Sequence, residues 1–166
     1  MLKNKFKGIL YLDLDGVLAD FDSHAEKLVL ASGKRVTNEK EWWNILKADQ
    51  NFFYNLKPMS YAMAILKAAH AVTPNVQILT ALPAKHTFPN AEEDKRRWVE
   101  KYLGKSMKVN FGPYSKDKWK HAKPGDILVD DRLSNIQEWK NLAKCPAILH
   151  IHHNYKDTID KIQSLA

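Results

Sequence analysis

The sequence of 166 residues is long enough for one α/β domain with a hydrophobic core and short for two independent ones. Its 45% apolar and 27% charged residues exclude a disordered or fibrous protein. The net charge of +7 fits nucleic acid, an anionic surface or a small phosphorylated substrate as a partner, and the scattered basic residues fit a merely solvated surface equally well.

The opening segment, residues 1–21, is not expected to be a signal peptide, because aspartates interrupt its apolar run and no small-residue cleavage site follows. No stretch approaches the ~18 uncharged residues of a spanning helix. Cys145 is the sole cysteine in the sequence, which excludes an intrachain disulfide. These features favour a cytoplasmic protein that needs no membrane.

Short apolar runs bounded by polar or turn residues predict buried parallel strands. In chain order these runs are residues 8–14, 76–79, 127–129 and 147–151, with 109–111 as a candidate fifth. Amphipathic patterns between them predict helices over residues 61–71, 91–103, 134–143 and 157–165. The alternation predicts the α/β class, with a doubly wound, Rossmann-like parallel sheet.

The stretch after the first strand, residues 21–57, departs from this alternation. Helical patterns over 23–32 and 38–46, without a convincing strand, predict a small helical cap inserted into a core of residues 1–20 and 58–166. Core and cap together form a single domain, residues 1–166. The cap is rich in aromatic residues: Trp42, Trp43, Phe52, Phe53 and Tyr54. These rings either form the cap's own core or line a substrate pocket, and both interpretations stay open.

Polar residues suited to phosphoryl transfer follow directly on the apolar runs. Ligands bind beyond the carboxyl ends of the strands in an open parallel sheet, so these residues are expected to meet. Asp13 can attack phosphorus as a nucleophile. Asp15, two residues later, projects to the same side of an extended segment and can act as general acid and base. Gly16 allows a sharp turn that brings backbone N–H groups near a phosphate.

Several acidic oxygens at one place require a hard divalent cation, and Mg²⁺ prefers oxygen ligands. The candidate ligands are Asp13, Asp130, Asp131 and the backbone carbonyl of Asp15. The hydroxyl of Thr80 and the ammonium of a lysine between 116 and 120 can hold the remaining phosphoryl oxygens. Each signal is weak alone, but their joint order predicts a magnesium-dependent phosphatase.

The segments YLDLDGVLADF, ILTA, SKDKW and DILVDDR resemble the four motifs of the haloacid dehalogenase (HAD) superfamily in their usual order. The DGVLADF run, the aromatic triplet 51–53, the helical segment 95–104 and the triplet 130–132 resemble more narrowly the 5'(3')-deoxyribonucleotidase family. This resemblance implies that Asp13 is the nucleophile, that Asp15 is the general acid and base, and that Asp130 is a magnesium ligand. It further implies that Thr80 and Lys118 hold the phosphate, with Lys116 as the alternative to Lys118.

The resemblance also implies auxiliary phosphate contacts from Lys95 and Arg132, and a pocket for the base formed by Phe21, Phe52 and Phe53. One departure concerns Ala81, which takes a phosphate-binding position where the family often has serine. A looser grip on the phosphate is therefore expected. The loop 82–90 and much of the cap have no clear match.

The leading hypothesis is a phosphomonoesterase that dephosphorylates (deoxy)ribonucleoside monophosphates with Mg²⁺ through an aspartyl-phosphate intermediate. A polynucleotide end phosphatase is the alternative, favoured by the positive charge and the small cap. A non-catalytic binding module of the same fold is a weaker one. His150, His152 and His153 alternate at a strand end without Cys or Glu at zinc spacing, which indicates an ordinary strand terminus. The oligomeric state is open.

Overall fold

The computed structural model describes residues 6–84 and 87–166, and its centre is a sheet of five parallel strands. In chain order the strands are β1 (Leu10–Leu12), β2 (Val76–Thr80), β3 (Val109–Phe111), β4 (Ile127–Asp130) and β5 (Ala147–Leu149). They lie in the order β3-β2-β1-β4-β5, so the chain builds one half outward from β1 and then returns to build the other. Open α/β sheets bind ligands at such a reversal. The predicted doubly wound parallel sheet is confirmed.

The described residues also form α-helices that flank the sheet. They are α1 (Phe21–Ser32), α2 (Glu39–Leu46), α3 (Phe52–Asn55), α4 (Ala62–Val72), α5 (Ala91–Leu103), α6 (Leu133–Asn141) and α7 (Tyr155–Gln163), with 3-10 helices at Ser115–His121 and His152–Asn154. All but the one-turn α3 are predicted within two residues at each end. No helix of the described ranges is long and apolar enough to cross a membrane. Residues 1–5, part of the opening segment, and residues 85–86 lie outside the description.

The central strand is shorter than the predicted run 8–14, and side-chain and turn contacts explain both ends. Before β1, the backbone N–H of Ile9 donates to the carboxylate of Asp126 at 2.8 Å instead of to a neighbouring strand. After β1, the N–H groups of Leu18 and Ala19 both donate to the carbonyl of Leu14 at 2.9 Å, which closes a turn. The chain therefore leaves the sheet directly after Asp13.

Both faces of the sheet are covered, as a parallel sheet requires. Side chains alternate along a strand, so Leu10 and Leu12 of β1 point to one face and Tyr11 to the other. The first face joins a large apolar cluster that includes Trp98 of α5. Tyr11 joins a smaller cluster with Trp139 of α6. This packing holds the strand ends in fixed positions.

The insertion between β1 and α4 consists of helices α1 to α3. It leaves and rejoins the rest of the chain at one place, since the N–H of Asp20 donates to the carbonyl of Lys57 at 2.8 Å. The side chains of Asp20 and Asn38 accept hydrogen bonds that cap α1 and α2. At the other end, the indole N–H of Trp98 donates to the carbonyl of Leu56 at 2.8 Å and ties the insertion to α5.

Candidate active site

A cavity of about 400 Å³ opens where the strands β1, β2 and β4 end. Most residues predicted for the site line it: Asp13, Asp15, Gly16, Phe21, Phe53, Ala81, Lys95, Lys118, Asp131 and Arg132. Thr80, Asp130 and Phe52 are fully buried and lie behind this lining. The strand-end geometry therefore brings the separate sequence segments together.

The ammonium group of Lys118 lies between two buried carboxylates. Its Nζ is 2.7 Å from an oxygen of Asp13 and 2.7 Å from an oxygen of Asp130. Asp130 also accepts hydrogen bonds from the backbone N–H of Arg132 at 2.9 Å and from the amide of Asn135 at 3.0 Å. Of the two lysines that the sequence leaves open, Lys118 is buried at the carboxylates, whereas Lys116 is exposed.

Burial and neighbouring charges shift the pKa values of the titratable groups at the carboxyl ends of the strands. Burial raises the pKa of Asp13 to about 8; the charge of Asp130 adds to this effect, and Lys118 opposes it. Asp131 is exposed at the rim, yet protein surrounds much of its carboxyl group, and this desolvation, with the charge of Asp130, raises its pKa to about 6. Burial alone would lower the pKa of Lys118, but the carboxylates of Asp13 and Asp130 outweigh it and raise that pKa.

The same carboxylates fit a divalent cation. Oxygen atoms of Asp13, Asp130 and Asp131 all lie within 4.8 Å of one another. An all-oxygen donor set is what Mg²⁺ prefers. After burial, the negative charge of Asp130 is the next largest cause of the raised pKa values of Asp13 and Asp131, and a bound cation would relieve this repulsion. The side-chain carboxylate of Asp15 is not part of this group, which leaves its backbone carbonyl as its predicted ligand.

Lys95 of α5 holds a different set of acceptors. Its buried Nζ donates to Asp15 at 2.7 Å, to the hydroxyl of Thr80 at 2.9 Å and to the carbonyl of Ala81 at 2.7 Å. An ammonium group has three protons, so these bonds use all of them. Lys95 thus links Asp15 to Thr80. The phosphate contacts of Lys95 and Thr80 stay predictions. Oδ1 of Asp15 is buried and has no hydrogen-bond partner within residues 6–84 and 87–166.

Gly16 is required by its surroundings. Its φ of 81° is in the region that favours glycine, and a Cβ there would lie 2.1 Å from Oδ2 of Asp131. Its N–H donates to the carbonyl of Ala19 at 2.9 Å, so this particular N–H is not one of the predicted free donors near a phosphate. The glycine instead allows Asp131 to approach the turn.

The insertion supplies an aromatic wall. Phe21, Trp42, Trp43 and Phe53 line the cavity. Phe52 does not, because it packs behind them with its ring centroid 5.1 Å from that of Phe21 and 5.1 Å from that of Phe53. Phe21 and Phe53 are therefore placed where the predicted pocket needs them, and their contact with a base stays a prediction, whereas Phe52 packs in the core of the insertion.

Some lining residues were not singled out by the sequence. They are Asp22, Glu39, Trp42, Trp43, Leu82, Pro83, Ser115 and Asn135. The guanidinium of the exposed Arg132 donates to the hydroxyl of Ser115 at 3.1 Å, which orients it at the rim. The two tryptophans were visible as part of the aromatic group, but nothing in their pattern distinguished lining from packing. Asn135 belongs to none of the motifs. It reaches Asp130 from the start of α6, and this contact depends on how the helix packs against β4.

His150 is engaged within the protein. Its Nε2 lies 2.9 Å from the hydroxyl of Tyr61, and its Nδ1 lies 2.9 Å from the hydroxyl of Thr158. Burial lowers the pKa of this imidazole to about 4. Both ring nitrogens have polar partners, which fits the interpretation of a strand terminus.

Comparison with known proteins identifies relatives of this chain. The family model of the 5' nucleotidase, deoxy (pyrimidine), cytosolic type C protein matches residues 34–164. A protein of Vibrio phage KVP40 named "Putative 5'(3')-deoxyribonucleotidase" is 31% identical over 136 residues, which are 80% of this chain and 71% of the relative.

Two solved structures share the fold. A hydrolase from Streptococcus pneumoniae superposes with a TM-score of 0.55 at 11% identity, over 94% of this chain and 99% of that one. A HAD family hydrolase from Deinococcus radiodurans, with bound phosphate and sodium, has a TM-score of 0.54 at 11% identity, over 96% of this chain and 89% of that one. At such identities the likeness shows the fold alone, which is the HAD fold.

Proposed function

Since this chain belongs to the 5' nucleotidase, deoxy (pyrimidine), cytosolic type C family and is a phosphoric monoester hydrolase, we propose that it dephosphorylates deoxyribonucleoside monophosphates with Mg²⁺ through an aspartyl-phosphate. One observation carries the proposal. Asp13 lies at the carboxyl end of the central strand, in the wall of a cavity, with the ammonium of Lys118 at 2.7 Å and three further carboxylates nearby.

In the first step, an oxygen of Asp13 bonds to phosphorus while the bond from phosphorus to the nucleoside oxygen breaks. Asp15 gives its proton to the leaving oxygen, so the nucleoside departs as an alcohol. The position of Asp15 supports this role, because its side chain lines the cavity and the ammonium of Lys95 holds its Oδ2 at 2.7 Å, which orients the carboxyl group.

In the second step, the ionised Asp15 takes a proton from a water molecule, whose oxygen bonds to phosphorus. The bond between phosphorus and Asp13 breaks, which releases inorganic phosphate and restores both carboxyl groups. Asp13, Asp130 and Asp131 would hold Mg²⁺ together with the backbone carbonyl of Asp15. When bound, the ion offsets the negative charge on the phosphoryl oxygens.

The remaining polar groups have separate tasks in this proposal. Lys118 stays positively charged beside the nucleophile and attracts the phosphoryl oxygens. Arg132 adds a second positive charge at the rim, where Ser115 orients it. Lys95 and Thr80 position Asp15 from behind.

We assign α1 to α3 as the cap of a single domain, with Phe21 and Phe53 against the nucleoside. The volume of about 400 Å³ suits a ligand of mononucleotide size. Two lining residues of the cap, Asp22 and Glu39, are acidic. Their charge would repel the additional phosphates of a polynucleotide, which favours a mononucleotide over a polynucleotide end.

A phosphate-release screen tests the proposal. Deoxyribo- and ribonucleoside monophosphates are compared with p-nitrophenyl phosphate and with a 5'-phosphorylated oligonucleotide, each with Mg²⁺ and with excess chelator. We expect magnesium-dependent release from mononucleotides that varies little with ionic strength. Preferred release from the oligonucleotide, with a steep salt dependence, would contradict the substrate; full activity in chelator would contradict the metal.

The acid–base role of Asp15 is tested with the substitution Asp15→Asn. General acid–base assistance contributes about a hundredfold to ten-thousandfold, so nucleotide turnover should fall by such a factor. Formation of the phosphoenzyme from p-nitrophenyl phosphate should fall less, because its leaving group departs without a proton. If the rate of phosphoenzyme formation falls by the same factor for both substrates, Asp15 does not protonate the leaving group.

A further inference from the structure

Glu39 is the first residue of α2, and this exposed residue lines the active-site cavity. The cap at Asn38, which accepts a hydrogen bond from the N–H of Glu41 at 2.9 Å, fixes the start of this helix. The indole N–H of Trp43 donates to Oε1 of Glu39 at 3.2 Å, one helical turn along. Glu39 is therefore a positioned carboxylate in the substrate cavity, and the proposed chemistry gives it no task.

A row of aromatic rings separates Glu39 from the phosphate end of the cavity. Nζ of Lys95, which holds Asp15, lies 4.6 Å from the ring centroid of Phe53. The centroid of Phe53 is 6.2 Å from that of Phe21, and Phe21 is 6.3 Å from Trp43, the partner of Glu39. A nucleotide whose phosphate reaches Asp13 would thus lay its base along these rings, toward Glu39.

An ionised carboxylate only accepts hydrogen bonds. Cytosine presents an amino group at the ring position where uracil and thymine present a carbonyl oxygen, and adenine also carries an amino group there. Facing a carbonyl oxygen, Glu39 would have two acceptors opposed and no proton between them. Facing an amino group, it would gain a hydrogen bond.

We infer that Glu39 accepts a hydrogen bond from the exocyclic amino group of the base, so that this enzyme prefers amino-bearing bases, cytosine over uracil among the pyrimidines. The inference rests on the proposed function and names the substrate class of the same site. Asp22, the other acidic lining residue of the insertion, is the competing acceptor.

The test compares deoxycytidine and deoxyuridine monophosphates, whose bases differ at this ring position. For the wild-type protein we expect kcat/KM to favour the cytidine substrate about tenfold, the scale of one good contact between a carboxylate and a base. In Glu39→Gln the ratio should fall to about one or below, because the amide can donate to a carbonyl oxygen as well as accept. Glu26→Gln is the matched control, since Glu26 is exposed on α1 and does not line the cavity; its ratio should match that of the wild type.

Turnover of p-nitrophenyl phosphate, which has no base, normalises each variant for effects on the phosphate site. A wild-type ratio near one, or a ratio that is unchanged in Glu39→Gln, overturns the inference. The proposed function still holds in that case, provided that the protein hydrolyses the nucleotides. Loss of the ratio in Asp22→Asn alone assigns the contact to Asp22 and overturns the role of Glu39. Hydrolysis of p-nitrophenyl phosphate without hydrolysis of either nucleotide overturns the inference and the proposed substrate together.

Discussion

The carboxyl ends of the strands, called the sheet edge below, and the helical insertion line the same cavity. Different forces hold the side chains of these two regions. At the sheet edge, hydrogen bonds of 2.7 to 3.0 Å hold the buried charges Asp13, Lys118 and Asp130. In the insertion, the rings of Phe21, Phe52 and their neighbours touch at centroid distances of 4.8 to 6.3 Å, with edge-on or tilted geometry. Directional bonds between charges fix positions closely, whereas ring contacts tolerate several arrangements.

The difference indicates separate tasks. Burying a charged group costs several kcal/mol unless good partners compensate, so two nearly inaccessible lysines are an expensive way to stabilise a fold. Such clusters are more often found where chemistry requires them. The aromatic wall resembles an ordinary core that continues into a cavity, which suits a surface that selects a substrate without reacting with it.

The largest effect should follow from Asp13→Asn, which removes the proposed nucleophile at the end of β1. The amide keeps the shape but cannot attack phosphorus, so kcat should fall by about a millionfold, the scale of removing a covalent nucleophile. Phosphate release and circular dichroism are measured together. Asp157→Asn, at a partly exposed site on α7 outside the cavity, is the control. Wild-type turnover in a folded Asp13→Asn protein would remove Asp13 from the mechanism.

Lys118→Met tests whether the charges at the edge depend on one another. Losing the ammonium leaves the carboxylates of Asp13 and Asp130 buried together, which should lower the free energy of unfolding by about 3 to 5 kcal/mol near neutral pH. Lys116→Met, at an exposed lysine two residues away, should change it by less than about 0.5 kcal/mol. Urea titrations of both variants measure the difference, and similar values would contradict the assignment of Lys118.

Phe52→Ala and Phe21→Ala separate packing from substrate contact within the insertion. Phe52 is fully buried, so its removal should cost about 3 to 5 kcal/mol of stability and impair nucleotide and p-nitrophenyl phosphate alike. Phe21 lines the cavity, so its removal should weaken nucleotide turnover selectively, by the equivalent of about 1 to 3 kcal/mol. Melting curves and the ratio of kcat/KM values for the two substrates are compared. If the ratio of kcat/KM values is unchanged in Phe21→Ala, the aromatic rings only stabilise the insertion and do not contact the substrate.

The last prediction concerns pH in metal-free protein. The folded pKa of Asp13, about 8, lies above its ordinary value of 3.8, so the folded state binds the proton more tightly than the unfolded state. Its contribution to stability is complete below pH about 4 and is lost as the pH rises toward about 8. The melting temperature in chelator should therefore fall across this window, and Mg²⁺ should reduce the fall because it binds the ionised carboxylates. The same slope with and without Mg²⁺ would contradict the metal site.

The sequence predicts the sheet edge well for a physical reason. Each apolar run marks a strand, parallel strands end at one edge, and the residue after the run must lie there. Asp13, Thr80 and Asp130 are located by this rule alone. The side chains that pair with these residues are not located by the rule. That Lys118 rather than Lys116 reaches Asp13 depends on the tight 3-10 turn at Ser115–His121, which has no clear sequence signature.

The insertion is predictable only as helices. Helix caps and amphipathic spacing locate α1 and α2, but they do not say which rings face the cavity. Phe52 and Phe53 are neighbours of the same type, and one lies behind the other. The partners of Lys95 and Asn135 are equally hidden, since they depend on how helices pack onto the sheet rather than on local pattern.

The proposed mechanism depends on an aspartyl-phosphate at Asp13, and chemical trapping detects this intermediate. The protein is mixed with Mg²⁺ and a nucleoside monophosphate, quenched during turnover and treated with borohydride, which reduces an acyl phosphate to an alcohol. Peptide mass spectrometry then locates the reduced side chain. We expect reduction at Asp13, dependent on substrate and absent in Asp13→Asn. Reduction at Asp15 instead, or steady phosphate release with no reduced side chain at any time point, would contradict the proposed mechanism.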